Sequence, residues 1–160
     1  MEDKAMIRKT GAIGLLMLLL PSLLAGCGTG ASVGSDPDFI KAKKILEYQA
    51  SKYDNLEATG VMKDGIREIH LTARQFSFTP DLIIVNKGEK IRLIVESLDT
   101  PHGFEIEGYM IPGWSIDQKI RKGQPAVIEF TADEKGVWKF ICTVYCGFGH
   151  STMRGTFVIR

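Results

Sequence analysis

The sequence CTVYCGFGHSTM, residues 142–153, places two thiols, an imidazole and a thioether within twelve positions. Three, three and two residues separate these side chains. Soft sulfur donors beside an imidazole favour copper over hard cations. Upstream, His102 in the segment TPHGF is a further candidate ligand. The sequence therefore predicts that the chain folds to hold His102 against this ligand loop, residues 142–153, and that the loop binds copper.

The residues on either side of the ligand loop indicate β-strands. Trp138, Phe140 and Cys142 fall on one face of the preceding strand, so we expect the first thiol at a strand end above the core. Gly147 and Gly149 are expected to turn the loop back into the last strand, because glycine adopts backbone angles that other residues resist.

Strand patterns recur through the rest of the chain and predict an all-β fold. Ile69, Leu71 and Ala73 alternate with polar residues, as in a strand with one buried face. Short strands separated by Gly- or Pro-bearing turns favour an antiparallel sandwich or barrel. The predicted strands are residues 66–78, 82–85, 90–96, 104–106, 115–120, 126–130, 137–142 and 155–160.

The N-terminal residues 1–26 are predicted to be a lipoprotein signal peptide, because basic residues precede an apolar run from Gly11 to Leu24. That run is shorter than the roughly 20 residues that span a bilayer, and Pro21 interrupts it. The sequence LAGC, residues 24–27, resembles a lipobox, which predicts lipidation of Cys27 and attachment to a bacterial membrane, with the domain facing the periplasm or the cell exterior. Ordinary signal cleavage and an uncleaved anchor are the alternatives.

Between the lipobox and the strands, two segments of different composition are predicted. Residues 27–37, rich in small residues, form a flexible tether, and residues 38–65 form a helix and a loop before the domain at 66–160. Asp36 is expected to cap the helix, with Pro37 in its first turn. Its rough apolar face comprises Phe39, Ile40, Ala42, Leu46, Tyr48 and Ala50.

Charge and cysteine content narrow the functional classes. The chain carries 20 basic and 19 acidic residues, and removing residues 1–26 leaves 17 of each. A neutral body without a basic stripe argues against nucleic-acid binding. Lipidation of Cys27 leaves Cys142 and Cys146, which in an exported protein would ordinarily form a disulfide. A disulfide alone does not explain why a histidine and a methionine follow at ligand spacing.

Cys142 is the residue that separates a site for one copper from a site for two. Without it, Cys146, His150, Met153 and His102 form the ligand set of a mononuclear blue copper site. With it, two thiolates can each bridge two metals, which gives a dicopper core with one histidine for each copper.

This ligand pattern resembles the CuA centre of cytochrome c oxidase subunit II and of nitrous oxide reductase. The segments FSFTP (76–80) and PHGF (101–104) resemble the same family, and the resemblance covers roughly residues 66–160. It implies a cupredoxin-like Greek-key β-sandwich with a mixed-valence dicopper centre that passes single electrons. The implied ligands are the bridging thiolates Cys142 and Cys146, the imidazoles His102 and His150, the weak axial thioether Met153 and the main-chain carbonyl of Val144.

Two departures from that family bear on function. Many oxidase subunits carry, at the position of Val144, a glutamate that also reaches a metal at the catalytic-subunit interface. The family's membrane-spanning helices are replaced by the predicted lipid anchor. Both departures favour a stand-alone or loosely associated carrier, with a cytochrome c or other small redox protein as donor and a terminal oxidase or reductase as acceptor. We expect no catalysis by this chain alone, because these donors leave no open coordination position.

Two other functions use the same residues. A copper-binding protein for delivery or storage would need the same ligands, and a structural Cys2His2 zinc site would leave Met153 without a role.

Among the candidates outside the ligand set, His70 is expected to be solvated and Trp138 to lie in the core. The segment YMIPGW, residues 109–114, is expected either to dock a donor or to pack over the ligand loop.

Overall fold

Alternating apolar residues determine the longest strands in the computed structural model, which describes residues 36–160. In β2 the side chains of Ile69, Leu71 and Ala73 are buried while those of their neighbours are more exposed, as the sequence pattern predicts. Over the described residues the elements are α1 (Pro37–Ser51), β1 (Val61–Lys63), β2 (Ile66–Arg74), β3 (Ser77–Thr79), β4 (Leu82–Val85), β5 (Lys90–Ser97), β6 (Glu105–Ile106), β7 (Ala126–Thr131), β8 (Gly136–Ile141) and β9 (Arg154–Ile159).

The signal peptide predicted at 1–26, the lipidation of Cys27 and all but the last two residues of the tether at 27–37 lie outside the described residues. Within residues 36–160, no helix has the length and apolar character needed to cross a membrane.

The strands form two sheets that pack face to face, which confirms the predicted β-sandwich. One sheet has the order β1-β2-β5-β7, with β3 paired to β2, and the other has the order β4-β9-β8-β6. The expectation of a purely antiparallel arrangement is wrong, because β2 pairs with β5 and β4 pairs with β9 in parallel. After β2 and β3 the chain crosses to the second sheet for β4, and it returns to the first sheet for β5 in the direction of β2.

A cluster of phenylalanines fills the space between the sheets at the end that carries the ligand loop. The ring centroids of Phe78 and Phe104 lie 5.3 and 5.7 Å from that of Phe140, and all three rings are buried. Phe140 points inward from β8, and Cys142 follows two residues later on the same face. The ligand loop therefore begins on a packed aromatic floor.

The helix α1 covers part of the outer face of the second sheet. Asp36 caps it as predicted, with its Oδ1 accepting from the main-chain N–H of Asp38 at 2.8 Å. The C-terminal part of the helix packs on the sheet, where Ala50 clusters with Ile84 and Val158. The predicted apolar face is therefore mostly unburied, since Phe39, Ile40 and Tyr48 are all exposed.

Two strand predictions are wrong in detail. Residues 75 and 76 interrupt the predicted strand 66–78, and β3 turns back to pair antiparallel with β2. Residues 115–120 form turns, and only Ile120 makes a bridge, with His102. The main chain here bonds within a turn and to the ligand loop, since Gln118 N–H donates to the carbonyl of Ser115 and the Thr143 hydroxyl donates to the carbonyl of Ile116. The segment therefore crosses the end of the sandwich that carries the ligand loop.

At the opposite end, a bidentate ion pair holds the sheet to the segment that follows α1. The buried Arg67 guanidinium donates to both carboxylate oxygens of Glu89, at 2.6 and 2.8 Å, and to the carbonyl of Thr59 at 3.3 Å. The hydrogen bond from Arg67, opposed by burial and aided by Asn86, lowers the pKa of Glu89 from 4.5 to about 2.

We expect Glu89→Gln to lower the free energy of unfolding by about 2–3 kcal/mol at pH 7, because it leaves the buried Arg67 cation unpaired. A depressed carboxyl pKa stabilises the fold above pH 4.5, the unfolded value, and this contribution is lost as the pH falls towards 2. Urea unfolding from pH 7 to pH 3 measures both effects. Glu129→Gln is the control, because its pair with Arg92 is exposed and should contribute less than about 1 kcal/mol. Equal losses in the two variants would contradict this prediction.

Candidate metal centre

The ligand loop is closed where the chain enters and leaves it. The main-chain N–H of Cys142, just after β8, donates to the carbonyl of Met153, just before β9, at 3.2 Å. Between them a single 3₁₀ turn, His150–Thr152, presents the His150 ring. Because β8 and β9 are paired neighbours, both ends of the loop are fixed on one rigid sheet.

The predicted donors converge on the two cysteine sulfurs. The Sγ atoms of Cys142 and Cys146 lie 4.0 Å apart. Each has an imidazole at 3.7 Å, with His102 Nδ1 beside Cys142 and His150 Nδ1 beside Cys146. Met153 Sδ lies 3.8 Å from the Cys146 sulfur. The structure therefore brings five side chains, which the sequence places up to 51 positions apart, into one cluster.

A main-chain oxygen joins this cluster. The Cys142 thiol donates to the carbonyl of Val144 at 3.2 Å. This is the carbonyl that the family resemblance implies as a ligand, and it faces the sulfurs although the valine side chain has no donor.

His102 is completely buried. Its main-chain N–H donates to the carbonyl of Ile120 at 3.1 Å, and its carbonyl accepts from the N–H of Ile120 at 2.8 Å. Its ring Nε2 lies 2.7 Å from Asp99 Oδ1. Because the carboxylate accepts a hydrogen bond from Nε2–H, the lone pair of Nδ1 is free to face Cys142. Asp99 thus selects the tautomer in which His102 can bind a metal.

Asp99 was not predicted from the sequence, although an acidic residue three positions before a candidate histidine ligand was an available signal. Burial raises the pKa of Asp99, but hydrogen bonds from Gln75 N–H, His102 and Thr100 N–H outweigh burial, so the net shift is downward. At neutral pH the carboxylate therefore stays ionised and accepts a hydrogen bond from His102 Nε2–H.

Gly103 allows the His102 segment to approach the ligand loop. A Cβ at this position would lie 2.1 Å from Thr143 Oγ1 and 2.9 Å from the main-chain nitrogen of Val144. The main-chain N–H of Gly103 points at the Cys142 sulfur, with an N–S distance of 3.5 Å. A larger residue would push His102 away from the sulfurs, so glycine is required here for space.

The two cysteines are buried free thiols. Their 4.0 Å separation is about twice the S–S distance of a disulfide. Burial, together with the nearby Cys142, raises the pKa of Cys146 to about 11. At neutral pH the metal-free protein therefore holds a protonated Cys146, and metal binding must release that proton.

The chemistry of the donors indicates which metal fits. Two thiols, two imidazole nitrogens and a thioether are soft or borderline donors, whereas magnesium and calcium prefer oxygen ligands. Asp99, the carboxylate nearest to the cluster, is occupied by His102. The residues present therefore fit copper.

The other candidates lie apart from the sulfurs. His70 is solvent-exposed, as predicted, and pairs with Glu68 at 3.2 Å. Trp138 is partly buried against the core. In the segment 109–114, the Tyr109 hydroxyl donates to Asp133 at 2.7 Å and Trp114 Nε1 donates to the carbonyl of Phe104 at 2.8 Å. Both rings are partly buried and pack against the hydrophobic core.

The chain is similar to known proteins in sequence and in fold. Residues 48–159 match the model of a family described as a cupredoxin-like domain. The chain is similar to cytochrome c oxidase subunit 2 of Thermus thermophilus, at 32% identity over 105 residues, which are 64% of this chain and 74% of that protein. It is also similar to the nitrous-oxide reductase of Ralstonia nicotianae, at 28% identity over 139 residues, which are 80% of this chain and 21% of the reductase.

Among solved structures, a chain of a heme-copper terminal oxidase dimer superposes with a TM-score of 0.51 at 20% sequence identity. The superposition covers 76% of this chain and 90% of that chain. At this level of identity the likeness concerns the fold alone.

Proposed function

The chain belongs to the cupredoxin-like domain family, and from this premise we propose that it is an electron-transfer protein with a binuclear CuA copper centre. It relays single electrons from a cytochrome c-like donor to a terminal oxidase or reductase. The proposed ligands are His102, Cys142, the carbonyl of Val144, Cys146, His150 and Met153. The proposal includes a CuA domain at 66–160 that is tethered to a membrane through a lipid on Cys27.

The observation that carries the proposal is the pair of free thiols 4.0 Å apart, each with its own imidazole nitrogen at 3.7 Å. A mononuclear blue copper site would use the Cys146 thiolate and would give Cys142 no role as a ligand. Two thiolates that each bridge both metals would use every soft donor in the cluster. When bound, the copper pair supplies reversible one-electron exchange. Similarity to cytochrome c oxidase subunit 2 and to nitrous-oxide reductase supports the same proposal.

The protein's contribution is a rigid and dry set of ligands. Cys142, Cys146 and Met153 are buried, and Asp99 fixes the orientation of His102. Preset ligand positions limit the structural change that accompanies a change of charge, and the apolar shell keeps water away. His150 is only partly buried, the exposed Tyr145 ring lies 5.8 Å from its ring, and Phe148, two residues before it, is fully exposed. We propose that the donor approaches on this side.

Burial also distinguishes electron transfer from copper delivery or storage. Both cysteine residues are only 4% exposed, whereas handing a metal to another protein requires access to the sulfurs. We therefore favour electron transfer, for which contact at the edge of the His150 ring is sufficient.

Mixing the oxidised, copper-loaded chain with reduced cytochrome c in a stopped-flow spectrometer tests this function. We expect cytochrome c to be oxidised on the millisecond timescale, with simultaneous bleaching of the copper absorption. Zinc-loaded protein is the control and should leave cytochrome c reduced. A copper-loaded chain that does not react with cytochrome c, but yields its copper readily to an apo acceptor, would support delivery or storage instead.

A further inference from the structure

Gln75, between β2 and β3, is hydrogen-bonded both to Asp99, which orients His102, and to the ligand loop. Its main-chain N–H donates to Asp99 Oδ2 at 2.8 Å, and the other oxygen of Asp99 accepts from His102. Its side-chain amide Nε2 donates to the main-chain carbonyl of Cys146. One residue between β2 and β3 is thus connected through Asp99 to His102 and directly to the ligand loop.

Phe76, which follows Gln75, packs against the same part of the ligand loop. A Cβ on Gly149 would lie 2.3 Å from the ring of Phe76, and a Cβ on Gly147 would lie 3.0 Å from both that ring and Gln75 Nε2. Gln75 and Phe76 therefore lie directly against the loop between Cys146 and His150.

This contact also corrects an expectation about the glycines. Gly147 has a φ of 132°, which favours glycine as predicted, but Gly149 has an ordinary φ of −93°. The requirement for glycine at 149 is space for the Phe76 ring.

The two halves of the ligand loop are held by different outside groups. The Thr143 hydroxyl fixes the first half by donating to Ile116. The second half contains internal turn bonds, such as His150 N–H to Gly147. Among residues 36–160, Gln75 is the side chain outside the loop that hydrogen-bonds the segment 146–150, and the Arg154 side chain donates further along to the carbonyl of Ser151.

We propose that Gln75 is a positioning residue for the metal centre and that it fixes the Cys146–His150 half of the loop relative to His102. This inference rests on the proposed copper site. Without the amide donor, the Cys146 carbonyl loses its partner and the Cys146 sulfur is held less firmly against Cys142. The expected consequences are a more accessible thiol in the metal-free protein and altered coupling between the coppers in the loaded protein.

The test uses the full chain with Cys27→Ser in every sample, so that only the two thiols of the ligand loop react. Gln75→Met keeps the side-chain length and removes the donor. We expect the metal-free variant to react about threefold to tenfold faster with an aromatic disulfide reagent, the range that corresponds to one lost hydrogen bond. When copper-loaded, it should show altered copper hyperfine splitting and faster copper loss to a chelator. Gln49→Met, on the exposed face of α1, is the matched control and should behave like the parent chain.

The outcomes separate this inference from the proposed function. A Gln75→Met chain with the parent's thiol rate and spectrum overturns the inference, even if its melting temperature falls. A parent chain without a dicopper spectrum defeats the proposed function, and the thiol rates still test the role of Gln75. Gln75→Asn keeps an amide on a shorter side chain and should give intermediate rates. If Gln75→Met does not fold, the thiol reaction rate of Gln75→Asn is compared with that of the parent chain instead.

Discussion

Cys142→Ser is expected to reduce the copper content from two ions to one per chain and to abolish the mixed-valence spectrum. A serine hydroxyl does not bridge two coppers as a thiolate does, and the remaining Cys146, His150, Met153 and His102 form a mononuclear ligand set. Metal analysis together with EPR spectroscopy of the loaded variant measures both changes.

Cys27→Ser is the matched control for this prediction, because it makes the same chemical change outside the ligand cluster. It should keep two coppers and the parent spectrum. If Cys142→Ser also retained the parent dicopper spectrum, the assignment of bridging thiolates would be wrong.

Phe140→Ala is expected to lower the free energy of unfolding by about 3–5 kcal/mol, the usual loss when a buried phenylalanine is truncated. The ring is completely buried and packs against Phe78 and Phe104. Its removal leaves a cavity under the ligand loop, two residues before Cys142. Urea unfolding of the metal-free chain at neutral pH measures the loss.

Phe148→Ala removes the same ring from a fully exposed position in the ligand loop. It should change the free energy of unfolding by no more than about 0.5 kcal/mol. Similar losses in the two phenylalanine variants would mean that the Phe140 cluster is not the packed floor of the loop.

Local patterns in the sequence were sufficient to predict the sandwich and the grouping of the donors. Ile69, Leu71 and Ala73 repeat every second residue, and that period determines which face of β2 is buried. The ligand loop joins two neighbouring strands, so its spacing alone determines which donors lie close together. His102 is distant in sequence, and the family resemblance of its PHGF segment was needed to place it beside Cys142.

Features that depend on contacts distant in sequence were not predicted. The parallel pairing of β2 with β5 follows from a crossover to the second sheet, which alternation within a strand does not reveal. Residues 115–120 have an apolar pattern but satisfy their main chain through local turns and Thr143. Asp99 and Gln75 act through hydrogen bonds to other residues, and the signal in the sequence is limited to the position of Asp99 three residues before His102. Most apolar residues of α1 are exposed because the helix packs on the sheet through its C-terminal part.

EPR spectroscopy of the copper-loaded parent chain, with metal analysis of the same sample, measures whether Cys142 and Cys146 together hold two coppers. We expect two coppers per chain and a multi-line signal from one unpaired electron shared equally between them. One copper per chain with an ordinary four-line signal would mean that the two thiolates do not hold a copper pair.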